Sequence, residues 1–153
     1  METYRLINKE ECNINDLFWN RYISLVKEKV IPYQWEILND NIPNSEPSHA
    51  IDNYKIAAGL MNGRFHGQVF QDSDVAKWLE AVANILLIYQ DEELEKKADS
   101  IIDLIELAQE EDGYLNTYFS IEEPEKKWTN LLECHELYCA GHFIEAAVVY
   151  YMA

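Results

Sequence analysis

Residues 72–89 read DSDVAKWLEAVANILLIY, and this stretch decides the fold class. Its apolar residues recur every three or four positions, which is the spacing of one face of an α-helix. They are Leu79, Val82, Ala83, Leu86 and Leu87. The run opens with Asp72, Ser73 and Asp74, and aspartate and serine commonly cap a helix N-terminus. We predict a helix from about Asp74 to Tyr89, with one of these three residues as its N-cap.

Two helices are predicted before this one. From Leu17 to Leu38 the apolar positions step by three and four residues, which indicates a helix of about six turns. Pro32 lies inside that run and should kink the helix or divide it in two. A weaker pattern predicts a helix over residues 49–61, and residues 64–70 could form a short extended piece.

Two more helices are predicted after it. An acidic first turn at residues 91–93 begins an amphipathic helix that extends to Ala108. The connection from residue 110 to residue 131 is long enough to be functional or mobile. The run from about Leu131 to Met152 is apolar on nearly all sides, so we expect it to be buried on several sides. The sequence therefore predicts an all-α fold, either part of an (α/α)6 toroid or a helical bundle.

The last residues, 146–153, carry no capping glycine, no basic last turn and no polar tail. We expect this chain to be the N-terminal portion of a longer protein, or a partner to cover this helix. That partner would be the rest of its own catalytic domain or a second copy in a homo-oligomer.

Composition narrows the function classes. The chain has 153 residues, of which 48% are hydrophobic, which suits a single domain. The net charge of −16 would repel a phosphate backbone, so nucleic acid is disfavoured as a partner. No signal peptide or membrane span is evident, and the three cysteines form neither a disulfide framework nor a zinc ribbon. We expect a cytoplasmic protein with reduced thiols.

Polar and aromatic side chains stand just before or within the first turns of two predicted helices. If the helices that follow Asp74 and Leu131 run parallel, the preceding loops lie at one end of the fold, and these groups ring one mouth. They are His66, Asp74, Asp112, Tyr114 and His135. Such a pocket suits a sugar, whose hydroxyls need paired donors and acceptors and whose C–H faces stack on rings. The alternative is structural: aspartates that cap a helix, and an Asp-Gly turn anchored by a tyrosine.

A second cluster lies on the last predicted helix. His135, Cys139 and His142 are spaced so that they share one helix face, and such a set could accept a soft metal. A cysteine in an apolar helix is more often a small core residue. Metal binding by this triplet is therefore the less favoured interpretation.

Several motifs in order resemble one known family, the β-L-arabinofuranosidases of glycoside hydrolase family 127. The similarity extends from about residue 12 to the last residue. The segments that carry it are VIPYQW at 30–35, FHGQVFQDSDV at 65–75 with KWLE at 77–80, AQ at 108–109 with DGYL at 112–115, and HELY at 135–138 with GHFIEAA at 141–147.

The resemblance implies an (α/α)6 barrel followed by β-sandwich domains, and release of L-arabinofuranose with retention. It also implies a cysteine nucleophile, a zinc ion held by cysteines and a glutamate, and a separate acid/base glutamate, all beyond the region that ends at Ala153. His135 resembles a sugar-contacting histidine of the family. Asp74, Trp78, Asp112 and Tyr114 match its motifs as well, and we predict that they bind sugar.

The sequence thus predicts the N-terminal part of a retaining glycoside hydrolase that contributes one wall of a sugar pocket, with zinc supplied elsewhere in the full-length enzyme. This chain alone should be inactive. The alternative is a non-catalytic helical module that binds a carbohydrate or a protein.

Overall fold

The computed structural model describes residues 14–153, which form seven α-helices joined by turns. The helices are α1 (Leu17–Leu25), α2 (Ile31–Leu38), α3 (Ala50–Ala57), α4 (Asp72–Leu86), α5 (Glu92–Ala108), α6 (Thr117–Glu122) and α7 (Glu136–Met152). This part of the chain contains no strand, so the predicted all-α class is confirmed and residues 64–70 form an irregular connection instead.

The first helical run continues without a break from Leu17 to Leu38, so Pro32 does not divide it in two, but its hydrogen-bond pattern changes just before Pro32. A π-helical turn, Val26–Val30, joins α1 to α2, and Pro32 stands in the first turn of α2. Proline has no N–H to donate to the preceding turn, and a wider π-helical turn is one way for a helix to accommodate that missing hydrogen bond.

Helix α4 lies at the centre of the fold and packs against α2, α3, α5 and α7. Its buried apolar residues form the middle of the core because they repeat at helical spacing on several faces. They are Val75, Ala76, Trp78, Leu79, Val82, Ala83 and Ile85. The Trp78 ring packs on Trp35 with centroids 4.8 Å apart, and Trp78 Nε1 donates to the Ile31 carbonyl at 3.1 Å.

The predicted cap of α4 is wrong. The N-cap position is Gln71, whose side chain makes no capping hydrogen bond, and the helix runs over Asp72–Leu86 rather than from Asp74 to Tyr89. Asp72 and Asp74 therefore stand inside the first turn. The Asp72 carboxylate is instead turned toward Thr117, 45 residues away along the chain.

The helix before α4 is shorter than predicted, and the long connection after α5 is more regular. Helix α3 ends at Ala57 instead of Met61. The connection over residues 110–131 contains α6 and a 3-10 turn, Pro124–Lys126, so it is largely ordered as secondary structure. The predicted helix at residues 91–108 is confirmed, with the Asp91 carboxylate accepting from the Leu94 N–H at 3.2 Å.

Helix α7 begins at Glu136, and the described residues do not bury it on several sides as predicted. Only Glu136, Cys139 and Ala146 of this helix are buried. The packed side faces α4, whereas large apolar side chains elsewhere on the helix are exposed because nothing in residues 14–153 covers them. They are Leu137, Tyr138, Ile144, Val148, Tyr151 and Met152. No helix in the same range has the length and apolar character needed to cross a membrane.

Candidate functional site

Helices α4 and α7 run parallel, so their N-termini lie at the same end of the molecule. The Phe70 ring, just before α4, lies 5.3 Å from the His135 ring, just before α7. Further along, Lys77 Nζ stands 5.1 Å from the centre of the Tyr138 ring. The condition on which the predicted mouth depends is therefore met.

The side chain of Gln71 connects this end of α4 to the loop before α3. Gln71 Nε2 donates to Asp74 Oδ2 at 3.1 Å and to Ser48 Oγ at 3.4 Å. Beside Ser48, the His49 ring packs on the His66 ring with centroids 4.7 Å apart. These contacts join the two histidines to the first turn of α4.

Two hydrogen bonds hold the backbone of His66 in place. Asn53 is fully buried on α3; its Nδ2 donates to the His66 carbonyl at 2.7 Å and its Oδ1 accepts from the His66 N–H at 3.0 Å. A buried amide that binds both backbone groups of one residue fixes the position of that residue. The His66 side chain itself remains exposed.

We call the resulting set of side chains the mouth cluster. It combines imidazole, amide, carboxylate, ammonium and ring groups, which together can donate to hydroxyls, accept from them and stack on C–H surfaces. Its members are His49, His66, Phe70, Gln71, Asp74, Lys77, His135 and Tyr138. Of the predicted site residues, the structure brings His66, Asp74 and His135 into this cluster.

Electrostatics in the cluster centre on Asp74. Partial burial raises the pKa of this carboxyl group above its ordinary value, and the nearby Lys77 ammonium opposes that rise. Lys77 Nζ lies 3.9 Å from Asp74 Oδ1 and also donates to Ser73 Oγ at 3.1 Å. The pair therefore presents one anionic and one cationic group side by side at the mouth.

His135 occupies an unusual backbone conformation. Its φ of 56° places it in the left-handed region at the N-cap of α7, where a non-glycine residue is uncommon. Its ring lies between Phe70 and Tyr138, with centroids 5.3 Å and 5.9 Å away. The imidazole therefore contacts two rings of the mouth cluster.

Tyr114 and Asp112 lie away from the mouth cluster. Tyr114 is buried, and its hydroxyl donates to Glu136 Oε1 at 2.6 Å. The exposed Asp112 accepts from the Tyr114 N–H through Oδ1 at 2.9 Å. Tyr114 thus supports the start of α7 through Glu136, and Asp112 fixes the backbone of Tyr114. The predicted contact of both residues with sugar stays a prediction.

Trp78 is also separated from solvent, with 4% of its surface exposed. We expect Trp78→Phe to lower the free energy of unfolding by about 2 kcal/mol, because the exchange removes the hydrogen bond to the Ile31 carbonyl and leaves a small cavity in the core. Urea unfolding followed by circular dichroism measures this change. An unchanged stability would contradict the role of the indole N–H.

The metal triplet considered above is not formed. Cys139 is fully buried, and burial raises the pKa of its thiol to about 12, so it is a protonated core residue. Within residues 14–153, the groups of three or more potential ligands whose atoms lie within 4.8 Å of one another contain no cysteine. The described residues therefore do not fit the zinc set of cysteines and glutamate that the family resemblance implies. Cys12 lies outside the described residues.

Two buried carboxylates and a histidine were missed as positioning residues. Asp72 reads as a helix cap, Glu136 as an ordinary helix residue, and His49 as the start of a weak helix. Their roles depend on partners such as Thr117 and Tyr114 that are distant in sequence. The sequence motifs contain these residues, but nothing in the sequence indicates which distant residues they bind.

The helical fold and the mouth cluster define an all-α region with polar and aromatic side chains gathered at one end. The sequence profile of the β-L-arabinofuranosidase catalytic domain of glycoside hydrolase family 127 matches residues 11–153. The chain therefore belongs to this family.

Similar proteins of known sequence or structure support this family membership. The chain is 42% identical to a non-reducing end β-L-arabinofuranosidase of Bifidobacterium longum subsp. longum, across 90% of this chain and 23% of that protein. The crystal structure of a family 127 β-L-arabinofuranosidase from Geobacillus stearothermophilus T6 matches with a TM-score of 0.91 and 64% identity, over 92% of this chain and 22% of that one.

A further solved structure, a family 127 β-arabinofuranosidase, matches with a TM-score of 0.81 and 29% identity, over 92% of this chain and 23% of that one. The chain thus spans less than a quarter of the length of these relatives. The all-helical structure and these matches agree with the predicted (α/α)6 type of fold.

Proposed function

We propose that this chain supplies one wall of the sugar pocket of a β-L-arabinofuranosidase catalytic domain. The observation that carries the proposal is the mouth cluster, which the parallel packing of α4 and α7 assembles from separate segments. Membership of the family supports L-arabinofuranose as the sugar that this surface binds.

Some side chains of the mouth cluster form hydrogen bonds with the sugar, and others stack on it. The His135 and His66 imidazoles and the Asp74 carboxylate exchange hydrogen bonds with sugar hydroxyls, and the rings of Phe70 and Tyr138 cover an apolar face. Hydrogen-bonding groups held in place before the ligand arrives lose less freedom on binding. The left-handed turn at His135 provides that preorganisation.

The proposal assigns no covalent step to residues 14–153. The buried Cys139 has a raised pKa and makes no thiolate nucleophile. The reaction and its zinc, if they follow the family, belong to a longer polypeptide that also covers the exposed apolar face of α7. A second copy of this chain on that face is the alternative arrangement.

A chimera tests the proposal. Residues 14–153 would replace the matching segment of the Geobacillus enzyme, to which the chain is 64% identical. We expect the chimera to hydrolyse a chromogenic β-L-arabinofuranoside. A folded chimera that neither binds nor cleaves this substrate would contradict the proposal and favour a non-catalytic helical module.

His135 should contribute directly to substrate binding in that chimera. We expect His135→Ala to lower kcat/KM about tenfold, because a hydrogen bond to a hydroxyl in a desolvated site contributes about 1.4 kcal/mol. Steady-state kinetics of the chimera measures the effect. Lys96→Ala, at an exposed position on α5, is the control and should leave kcat/KM unchanged. Equal kinetics for the two variants would exclude a role for His135.

A further inference from the structure

Halfway along the α4–α7 contact, three potential metal ligands from two helices face one another. His142 and Glu145 stand three positions apart on α7 and share one face of it, and Glu80 projects from α4. One ligand atom from each lies within 4.8 Å of the other two. Helices that pack in parallel hold such groups more firmly than a loop does.

In this set, His142 Nδ1 and the Glu80 carboxylate lack hydrogen-bond partners among the residues that the structure describes. His142 Nδ1 is shielded from solvent and makes no hydrogen bond, and its nearest acidic neighbour is Glu145 Oε2 at 3.5 Å. Within residues 14–153, no ion pair or side-chain hydrogen bond engages the half-buried Glu80 carboxylate. The nearest cation on α4, Lys77, is directed to Ser73 and the Tyr138 ring instead.

The environment of the set favours a cation. The shielded His142 Nδ1 lies 3.5 Å from the Glu145 carboxylate, and a carboxylate oxygen of Glu80 lies within 4.8 Å of the imidazole. In a chain of net charge −16, two carboxylates this close to one imidazole favour a cation between them. The Tyr138 ring stands against the His142 ring with centroids 4.6 Å apart, which restricts the imidazole to one orientation. A neutral imidazole and two carboxylates are ligands that first-row divalent metals accept, at about 2.0–2.2 Å in the case of zinc.

We propose that Glu80, His142 and Glu145 form a binding site for a first-row divalent metal ion that ties α4 to α7. Atoms bound to one metal ion at about 2.0–2.2 Å lie at most about 4.4 Å apart, and the three ligand atoms lie within 4.8 Å of one another. None of the three is a cysteine, so the site does not use the thiolates that the family resemblance implies for zinc.

A second group with similar composition is less available. Asp40, His49 and Asp52 also lie within 4.8 Å of one another. However, the Asp40 carboxylate already accepts from the backbone N–H groups of Ser48 and His49, and Asp52 Oδ1 accepts from Lys55 Nζ at 2.9 Å. Because its carboxylates are engaged, this group serves as the internal comparison.

Cobalt(II) titration of the reduced, metal-free 153-residue chain at neutral pH tests the site. We expect one cobalt ion per chain, with visible d–d absorption and without the near-ultraviolet band of thiolate-to-cobalt charge transfer. His142→Ala and Glu145→Gln should each weaken binding at least about tenfold, since even loss of a group behind the ligands costs that much. Asp52→Asn, which disables the comparison group, should bind cobalt as tightly as the unaltered chain.

Each other outcome overturns the proposal. Binding lost in Asp52→Asn but kept in His142→Ala places the metal at the comparison group, and a thiolate band places it on cysteine. An absence of cobalt binding excludes the site. Far-ultraviolet circular dichroism checks the fold of every variant, and Glu145→Gln, at a side chain 64% exposed, keeps the test valid if His142→Ala does not fold.

Discussion

Replacing Asp72 by alanine is expected to lower the free energy of unfolding by about 3 kcal/mol at about pH 5, because two buried donors would lose their acceptor. Asp72 is 3% exposed. Its Oδ2 accepts from the Thr117 N–H at 2.7 Å, and its Oδ1 accepts from Thr117 Oγ1 at 2.6 Å. Urea unfolding of the chain measures the loss. Asp103→Asn, at an exposed position on α5, serves as the control and should change stability by less than about 0.5 kcal/mol.

The same carboxyl group should make stability depend on pH. Burial raises the pKa of Asp72 from 3.8 to about 6, and the two hydrogen bonds from Thr117 only partly oppose that rise. Between these two values the folded chain binds more protons than the unfolded chain, so this contribution to stability falls as pH rises from about 4 to about 6. The pKa difference between the unfolded and folded chain, from 3.8 to about 6, corresponds to a change of about 3 kcal/mol in the free energy of unfolding.

Asp72→Asn separates this effect from the other carboxylates. The amide does not titrate, so the part of the pH dependence that comes from Asp72 should vanish in the variant while the exposed acidic groups remain. Unfolding curves at several pH values between 4 and 7 provide the comparison with the unaltered chain. A pH profile identical in both proteins would mean that Asp72 is ionised normally in the fold.

Glu136→Ala is expected to cost about 3 kcal/mol as well, because Glu136 holds the loop before α7 in place. Glu136 is 2% exposed, and its carboxylate accepts from the Tyr114 hydroxyl at 2.6 Å and from the Trp128 N–H at 3.0 Å. Trp128 has a φ of 62°, an uncommon conformation that this hydrogen bond helps to maintain. Loss of the carboxylate should therefore destabilise both the loop that contains Trp128 and the first turn of α7.

A double-mutant cycle isolates the strongest part of this interaction. Tyr114→Phe removes only the hydroxyl, so we expect a smaller loss of about 2 kcal/mol, typical of a hydrogen bond to a charged group. In the double variant the two losses should not add, since each single exchange removes the same bond. Fully additive losses would show that Tyr114 and Glu136 act independently. Glu111→Ala, at an exposed position in the preceding turn, is the control and should leave stability unchanged.

The buried carboxylates also explain how the mouth is assembled. Asp72 stands at the start of α4 and Glu136 at the start of α7, and each binds a residue of the segment between Tyr114 and Trp128. This segment therefore braces the N-terminal ends of both helices through hydrogen bonds. His135 and Asp74, each next to or near one of these anchors, depend on that bracing for their positions.

Periodicity predicted the long run that forms α1 and α2, and also α3, α4, α5 and α7, because each depends on residues close in sequence; it did not predict α6. The amphipathic α5, with its Asp91 cap, was predicted for the same reason. The ordered motifs that contain His66, Asp74 and His135 also identified the family and the end of the fold where a site should lie. Helix periodicity and short motifs depend on neighbouring residues, so they can be read from one sequence.

Only the tertiary structure decided what each side chain does. Asp72 has the residue type and position of a helix cap, yet it binds Thr117 because α6 brings a buried N–H and hydroxyl within reach. Tyr114 and Trp78 have the ring chemistry of sugar-binding residues, but packing places them in the interior. Residue type and spacing determine which groups are available, whereas the distances between segments far apart in sequence determine which of them meet, and no local pattern specifies those distances.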